Sequence, residues 1–163
     1  MTIDYQRIYH TGVRVPSLRA AMDEVGPRLN VTWAEVRERE QQVWTPERGL
    51  HEVQLGYTYS CEGPQHVELL EGAEGSVWDG RESPGLHHVG IWSSDVSADA
   101  EQALRNGWTC AASHQSPDDG FGVFAYLVPP SGLIIEVVHE MAQPMFEQWW
   151  ADGLATVGDG APG

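Results

Sequence analysis

The chain has 163 residues, one domain's worth, and its 41% hydrophobic and 20% charged content exclude a disordered polyelectrolyte. A formal net charge of -15, with Arg as the only basic side chain and no Lys, argues against nucleic acid and anionic membrane as partners and removes the amine that Schiff-base chemistry needs. No apolar run approaches the roughly 18 residues of a membrane span, and the first residues lack the basic start and apolar stretch of a signal peptide, so a cytoplasmic location is expected.

Residues 5–15 read as a first strand. Pro16-Ser17 breaks it, Ser17 is a helix cap, and a helix over Leu18–Val25 is expected to stop at Gly26-Pro27. Residues 31–44 fit both a helix and a long exposed strand, with alternation favouring the strand. After the turn Thr45-Pro46-Glu47-Arg48-Gly49, residues 50–60 alternate, with Leu50, Glu52, Gln54 and Gly56 on one face and His51, Val53, Leu55 and Tyr57 on the other. A strand over 65–70 carries Glu68, and the Gly- and Glu-rich stretch up to Pro84 reads as a linker.

The second half repeats this order. Residues 86–92 form a strand, Asp95 or Ser97 caps a helix through Arg105, and Asn106-Gly107 closes it. Strands are expected over 108–113, 121–128 and 133–139, the last carrying Glu136; a short helix over 144–150 and a frayed Gly-rich tail follow. The expected organisation is therefore one domain over 1–163, with a first module over about 5–72, a linker over 73–84, a second module over about 85–140, and a C-terminal helix and tail over 141–163. Cys61 and Cys110 form neither a disulfide framework nor a CxxC zinc site, and two free thiols are expected.

The repeat has chemical content. Ile8-Tyr9-His10-Thr11-Gly12-Val13 and Leu86-His87-His88-Val89-Gly90-Ile91 share a His, one residue, then Gly, and each half ends on a strand with a Glu. His10, Glu68, His88 and Glu136 would supply two imidazoles and two carboxylates to a divalent ion in a concave sheet. For His10 or Glu136 alone, a satisfied core polar residue is the plainer reading. A Glu within Leu133-Ile134-Ile135-Glu136-Val137-Val138, however, is costly to bury without a partner. His87 precedes His88, so strand alternation places it on the opposite face.

Together with Val67-Glu68-Leu69-Leu70-Glu71 and Ser131-Gly132-Leu133-Ile134-Ile135-Glu136-Val137-Val138, these two motifs make the sequence resemble the vicinal oxygen chelate superfamily over about residues 5–140. This superfamily contains glyoxalase I, methylmalonyl-CoA epimerase, extradiol dioxygenases and bleomycin-resistance proteins. The resemblance implies an α+β fold, two βαβββ modules forming a cupped mixed sheet around a divalent metal (Zn, Ni, Co, Mn or Fe). Its His, Glu, His, Glu order is similar to the lyases and isomerases and less to the iron dioxygenases. An epimerase-like activity on a small oxygenated substrate, with enolate chemistry stabilised by the metal, is the leading expectation. A metal-free small-molecule or antibiotic-binding protein and an iron-dependent dioxygenase are the alternatives.

Gly49-Leu50-His51-Glu52 matches the Gly-X-X-Glu arrangement of methylmalonyl-CoA epimerases and makes Glu52, beside Glu136, a catalytic candidate; His51 takes its place if the register slips by one. For Glu52 a solvated strand residue is the competing reading. Trp33, Trp44, Trp92, Phe124 and Tyr126 are candidates for the substrate wall, against core packing. Seven Trp and no Lys to grip coenzyme A phosphates depart from an acyl-CoA site and allow a flatter, more apolar substrate. A cupped sheet needs cover, so a homodimer is expected, with Trp149 and Trp150 adding to its interface.

Overall fold

The computed structural model describes residues 3–158. A 3-10 turn (Tyr5–Arg7) leads into β1 (Ile8–Arg14) and α1 (Leu18–Leu29), followed by β2 (Arg37–Thr45), β3 (Gly49–Tyr59) and β4 (His66–Gly72). The second half runs β5 (Gly85–Ser93), α2 (Val96–Arg105), β6 (Thr109–Ser113), β7 (Phe124–Val128) and β8 (Ile135–His139), and ends in α3 (Gln143–Gly158). The strands are ordered β1-β4-β3-β2-β6-β7-β8-β5 and close on themselves. The β1–β4 and β5–β8 pairs are parallel; the others are antiparallel. The two halves meet along β1–β5, while β2 and β6 share a single pair, Trp44 with Ser113.

Local chemistry explains the elements. The Ser17 hydroxyl accepts the Ala20 N–H and the Asp95 carboxylate the Ala98 N–H, which caps both module helices. α1 runs through Gly26-Pro27, where an end was expected, and stops at Asn30 in the left-handed region (φ 55). Gly26 is used for packing rather than for breaking the helix: a Cβ there would lie 2.8 Å from Trp33 Nε1. α1 packs outside β3 and β4, and α2 outside β6, β7 and β8.

The apolar set of each strand turns inward. On β3, Val53, Leu55, Tyr57 and Tyr59 are buried, whereas Leu50, Glu52 and Gln54 are exposed. An eight-stranded barrel is just wide enough for its own side chains or one small ligand. Here the interior holds an aromatic cluster that includes Tyr9, Tyr57, Tyr59, Trp92, Phe124, Tyr126 and Trp78. Trp78 comes from the stretch expected to be a linker, yet it is 1% exposed and donates its indole N–H to the Tyr126 hydroxyl at 2.9 Å.

The cover is the chain's own C-terminal helix. α3 continues to Gly158, beyond the expected end at Trp150, and residues 159–163 of the expected frayed tail lie outside the described residues. Trp149 and Trp150, expected at an interface between chains, are 5% and 7% exposed inside the aromatic cluster. Trp149 donates its indole N–H to Glu35 O at 3.1 Å, and Trp150 stacks on His66 with centroids 3.7 Å apart. Among the described residues no helix is long and apolar enough to cross a membrane.

Trp150→Ala should therefore cost about 3–5 kcal/mol in urea unfolding, whereas Leu154→Ala, on the exposed side of α3, should stay within about 0.5 kcal/mol. Equal, small effects would mean that α3 is not part of the core.

Candidate metal centre

The β1–β5 seam builds the centre from two matching halves. His10 pairs across the seam with Gly90, and His88 with Gly12. A Cβ on Gly90 would overlap the His10 ring, and one on Gly12 the His88 ring. Each glycine thus leaves the space that the other strand's imidazole fills. On the outer flanks, Gly12 pairs with Glu68 of β4 and Gly90 with Glu136 of β8, which sets both carboxylates on the same face as the imidazoles.

The register slips twice along this seam. Ile8 pairs with Ile91 but His10 with Gly90, and Gly12 pairs with His88 but Val13 with Leu86. Tyr9 on β1 and His87 on β5 are the extra residues, at equivalent positions in the two modules. These bulges redirect side chains that simple alternation sends outward. His87 is thus not on the opposite face as expected: its Nδ1 lies 3.0 Å from His88 Nδ1, and its ring packs edge-on against Tyr126. Tyr9 is buried with its ring 4.3 Å from that of His10 and stacked on Trp92 at 3.7 Å.

The structure brings His10, Glu68, His88 and Glu136 together, with one ligand atom of each within 4.8 Å of the others. The two Nε2 atoms are 2.8 Å apart; Glu68 Oε2 lies 3.4 and 3.3 Å from His10 and His88, and Glu136 Oε2 lies 3.2 and 3.3 Å from the same atoms. Ligands about 2.0–2.2 Å from a common centre are spaced like this. Both imidazoles are 0% exposed, and His10 Nδ1 has no partner. Two buried carboxylates beside two imidazoles form a donor set for a hard or borderline divalent ion, and the glycine cradles hold it in shape. The residues fit such an ion.

Without one, protons take its place. Burial alone would depress His88, but Glu136 and Glu68 outweigh it and raise its pKa to about 9; His10 is raised by the same balance. Burial would raise Glu136 and Glu68, but the facing imidazoles outweigh it and lower both. Burial and the neighbouring His88 charge lower His87 to about 3, which keeps it neutral and able to accept the His88 Nδ1–H.

A second matched pair surrounds the first. Tyr59 sits opposite Glu68 on β3–β4, and Tyr126 opposite Glu136 on β7–β8. Burial, then the carboxylates, raise both phenols well above the ordinary value of 10.0, so both remain hydrogen-bond donors. Tyr59 was not singled out from sequence, although its place in the first module matches that of Tyr126 in the second. Arg39, Gln41 and Trp78 were also missed; alternation along β2 carries a signal for the first two.

Beside the centre lies a cavity of about 190 Å³, floored by Glu68 and Glu136 and walled by Tyr9, Tyr57, Tyr59, Trp78, Phe124, Tyr126 and Phe146. Of the residues expected at a substrate wall, Phe124 and Tyr126 line this cavity. Trp92 is inside the barrel but stands behind Tyr9. Trp33 and Trp44 do not line the cavity: Trp33 packs under α1 and donates to Met22 O, and Trp44 packs against the cluster under α2. Glu52 also requires correction. It pairs with Gln42 on the exposed, outer face of β3, because the apolar alternate residues claim the interior. His51, its substitute, is held by Gly49 O at 2.8 Å and does not line the cavity either.

The comparisons agree with this architecture. Among curated proteins none matches the chain. A methylmalonyl-CoA epimerase solved with methylmalonyl-CoA and NH4+ is similar at 20% identity and a TM-score of 0.55, covering 82% of this chain and 93% of the other. A variant Streptomyces coelicolor methylmalonyl-CoA epimerase in complex with 2-nitronate-propionyl-CoA is similar at 21% identity and a TM-score of 0.54, covering 82% and 93%. The Mycobacterium tuberculosis methylmalonyl-CoA epimerase is similar at 14% identity and a TM-score of 0.56, covering 85% and 91%. These likenesses establish the fold. The family model of the glyoxalase/bleomycin resistance protein/dioxygenase superfamily matches residues 9–126, from the first bulge to the last phenol of the site, and the chain belongs to that superfamily.

Proposed function

We propose that the chain is a metal-dependent isomerase or lyase of epimerase type, acting on a small substrate with vicinal oxygens. The observation that carries this reading is the set of four buried ligands, one His and one Glu per module, opening onto an aromatic cavity. The likeness to epimerases solved with methylmalonyl-CoA and a related ligand supports the reaction type. A sequestering protein has no use for four converging ligands, and a facial triad of the dioxygenase kind uses one carboxylate, not two.

His10, Glu68, His88 and Glu136 would hold a divalent ion, which would supply Lewis-acid stabilisation of negative charge on a substrate oxygen. The chain's own groups do the rest. Glu136 is the base that removes a proton next to the substrate carbonyl: its carboxylate lines the cavity at the edge of the ligand set. Tyr126 orients Glu136, and Trp78 fixes Tyr126 by donating to its oxygen, which leaves the phenolic hydrogen for the carboxylate. Glu68, held likewise by Tyr59, lines the same cavity, and the proton taken up by Glu136 is returned to the carbon by Glu136 or exchanged with solvent. The aromatic walls and α3 exclude water, which strengthens each of these interactions. The expected homodimer is not needed to enclose the cavity.

Metal titration followed by proton exchange tests this. The chain should take up one divalent ion, and Glu68→Gln or His88→Ala should weaken it by more than the ~10–100-fold that loss of an outer partner costs. Gly90→Ala, which removes the space for His10, should do the same, and Glu52→Gln should not. The metal-loaded chain should then exchange solvent deuterium into 2-oxopentanoate or methylmalonyl-CoA, and Glu136→Gln should abolish it. Exchange that persists in Glu136→Gln places the base elsewhere.

The metal affinity should also depend on pH with a defined sign. In the metal-free chain the His88 pKa is raised from 6.5 to about 9, so near neutral pH a metal must displace its proton. Affinity should rise about tenfold per pH unit for this proton and level off near pH 9. The stabilisation that raised pKa gives the metal-free fold is complete below pH 6.5 and lost as pH rises through about 9. The thermal shift on adding metal should therefore grow across this window. Calorimetry in buffers of different ionisation enthalpy measures the released protons, and uptake without proton release would contradict the assignment.

A further inference from the structure

We infer that the substrate is a small free acid, a flat apolar body with vicinal oxygens at one end and a second anionic group at the other, which Arg39 receives at the cavity mouth. This rests on the cluster being a metal centre and adds what the rest of the site selects.

Among the described residues, Arg39 is the only cation lining the cavity. Its guanidinium stands 5.0 Å from the Tyr57 ring centroid, a contact that positions the plane and leaves its N–H edge free. In a chain with 24 acidic residues, this arginine forms no ion pair among the described residues; its other electrostatic neighbour is His114. Glu38 and Glu40 flank it in sequence but face the other side of β2. Tyr57 lies two residues from Tyr59 on β3, about 7 Å along the strand. The guanidinium is therefore within a small ring-bearing acid's length of the carboxylate floor.

A second observation inside the cavity points to the same occupant. Tyr9 is 5% exposed and lines the cavity, yet its hydroxyl has no partner besides the neighbouring Tyr59 phenol. A buried hydroxyl so sparsely partnered gains from a ligand oxygen in the cavity. The remaining walls are aromatic and select a flat body. The volume, about 190 Å³, is below that of a drug-sized pocket and holds on the order of ten non-hydrogen atoms. A coenzyme A moiety would remain outside, against a surface with no Lys and a net charge of -15 that repels its phosphates.

Calorimetry on the full chain, with and without bound metal, tests this using phenylglyoxylate, 4-carboxyphenylglyoxylate and methylmalonyl-CoA. The wild type should bind the 4-carboxy acid about 10- to 100-fold tighter than phenylglyoxylate. Arg39→Gln should erase that ratio, and Arg39→Lys should restore part of it. Arg48→Gln, which removes the same charge from the nearby exposed turn, should keep the ratio. Tyr9→Phe should weaken both acids about 3- to 10-fold. Equal affinities in wild type, or a ratio that survives Arg39→Gln, would overturn the inference. So would methylmalonyl-CoA binding tighter than the 4-carboxy acid. Because the ratio is read with and without metal, a chain that takes up no metal fails the proposed function while Arg39 is still decided on its own.

Discussion

Two carboxylates buried in an aromatic barrel need two positive charges within reach, and the rest of the structure follows from how this chain supplies them. Glu68 and Glu136 are enclosed with His10 and His88 and with no Arg among the facing groups. Burial of unbalanced charge would cost several kcal/mol per ion. The facing imidazoles balance it, and the carboxylates in turn outweigh burial and raise the pKa of both His10 and His88. One divalent ion on two neutral imidazoles gives the same total. Protons and a divalent ion would therefore compete for the same atoms.

The geometry that permits this is carried by glycine. His10 and His88 are close enough for their Nε2 atoms to meet only because Gly90 and Gly12 leave room beneath the rings. The duplication gives each half a His, a Gly, a Glu and a Tyr at matched positions, but the surroundings break the symmetry. Tyr59 is packed by Phe146, Trp149 and Trp150 of α3, whereas Tyr126 is held by Trp78. The bulge residues diverge as well: His87 hydrogen-bonds His88, and Tyr9 stacks on Trp92 and faces the cavity. A symmetric centre thus opens onto a single asymmetric cavity.

The repeat made the buried cluster of His10, Glu68, His88 and Glu136 legible because a His and a Glu recur at corresponding strand positions in each half. What remained hidden depended on contacts between distant residues. The faces of β3 were separated correctly, but only the burial of Val53, Leu55 and Tyr57 decides which one turns inward, and this moved Glu52 outside. Strand alternation sends His87 away from His88; the bulge that brings it back is a property of the β1–β5 register. Gly and Glu around Trp78 read as linker, while the indole fits a space defined by β7. Gly26-Pro27 reads as a helix end, yet the glycine answers to Trp33, seven residues on.

The buried His/Glu cluster and the cavity mouth occupy different parts of the barrel. The four cluster residues stand on β1, β4, β5 and β8, the duplicated strands on either side of the main seam. The mouth is formed by β2, α3 and the approach to β7, through Arg39, Met145 and Val123. Here β2 has one paired residue with β6, so β3 and side chains must fix its position. Arg37 lies over the Trp149 ring at 3.8 Å, and Trp149 hydrogen-bonds Glu35 just before the strand, which ties β2 to α3. Changes in α3 or in the inward residues of β2 would reshape the entrance without touching a ligand. A duplicated core with a variable cover lets one fold host many reactions, and in this chain the cover is the least symmetric part of the structure.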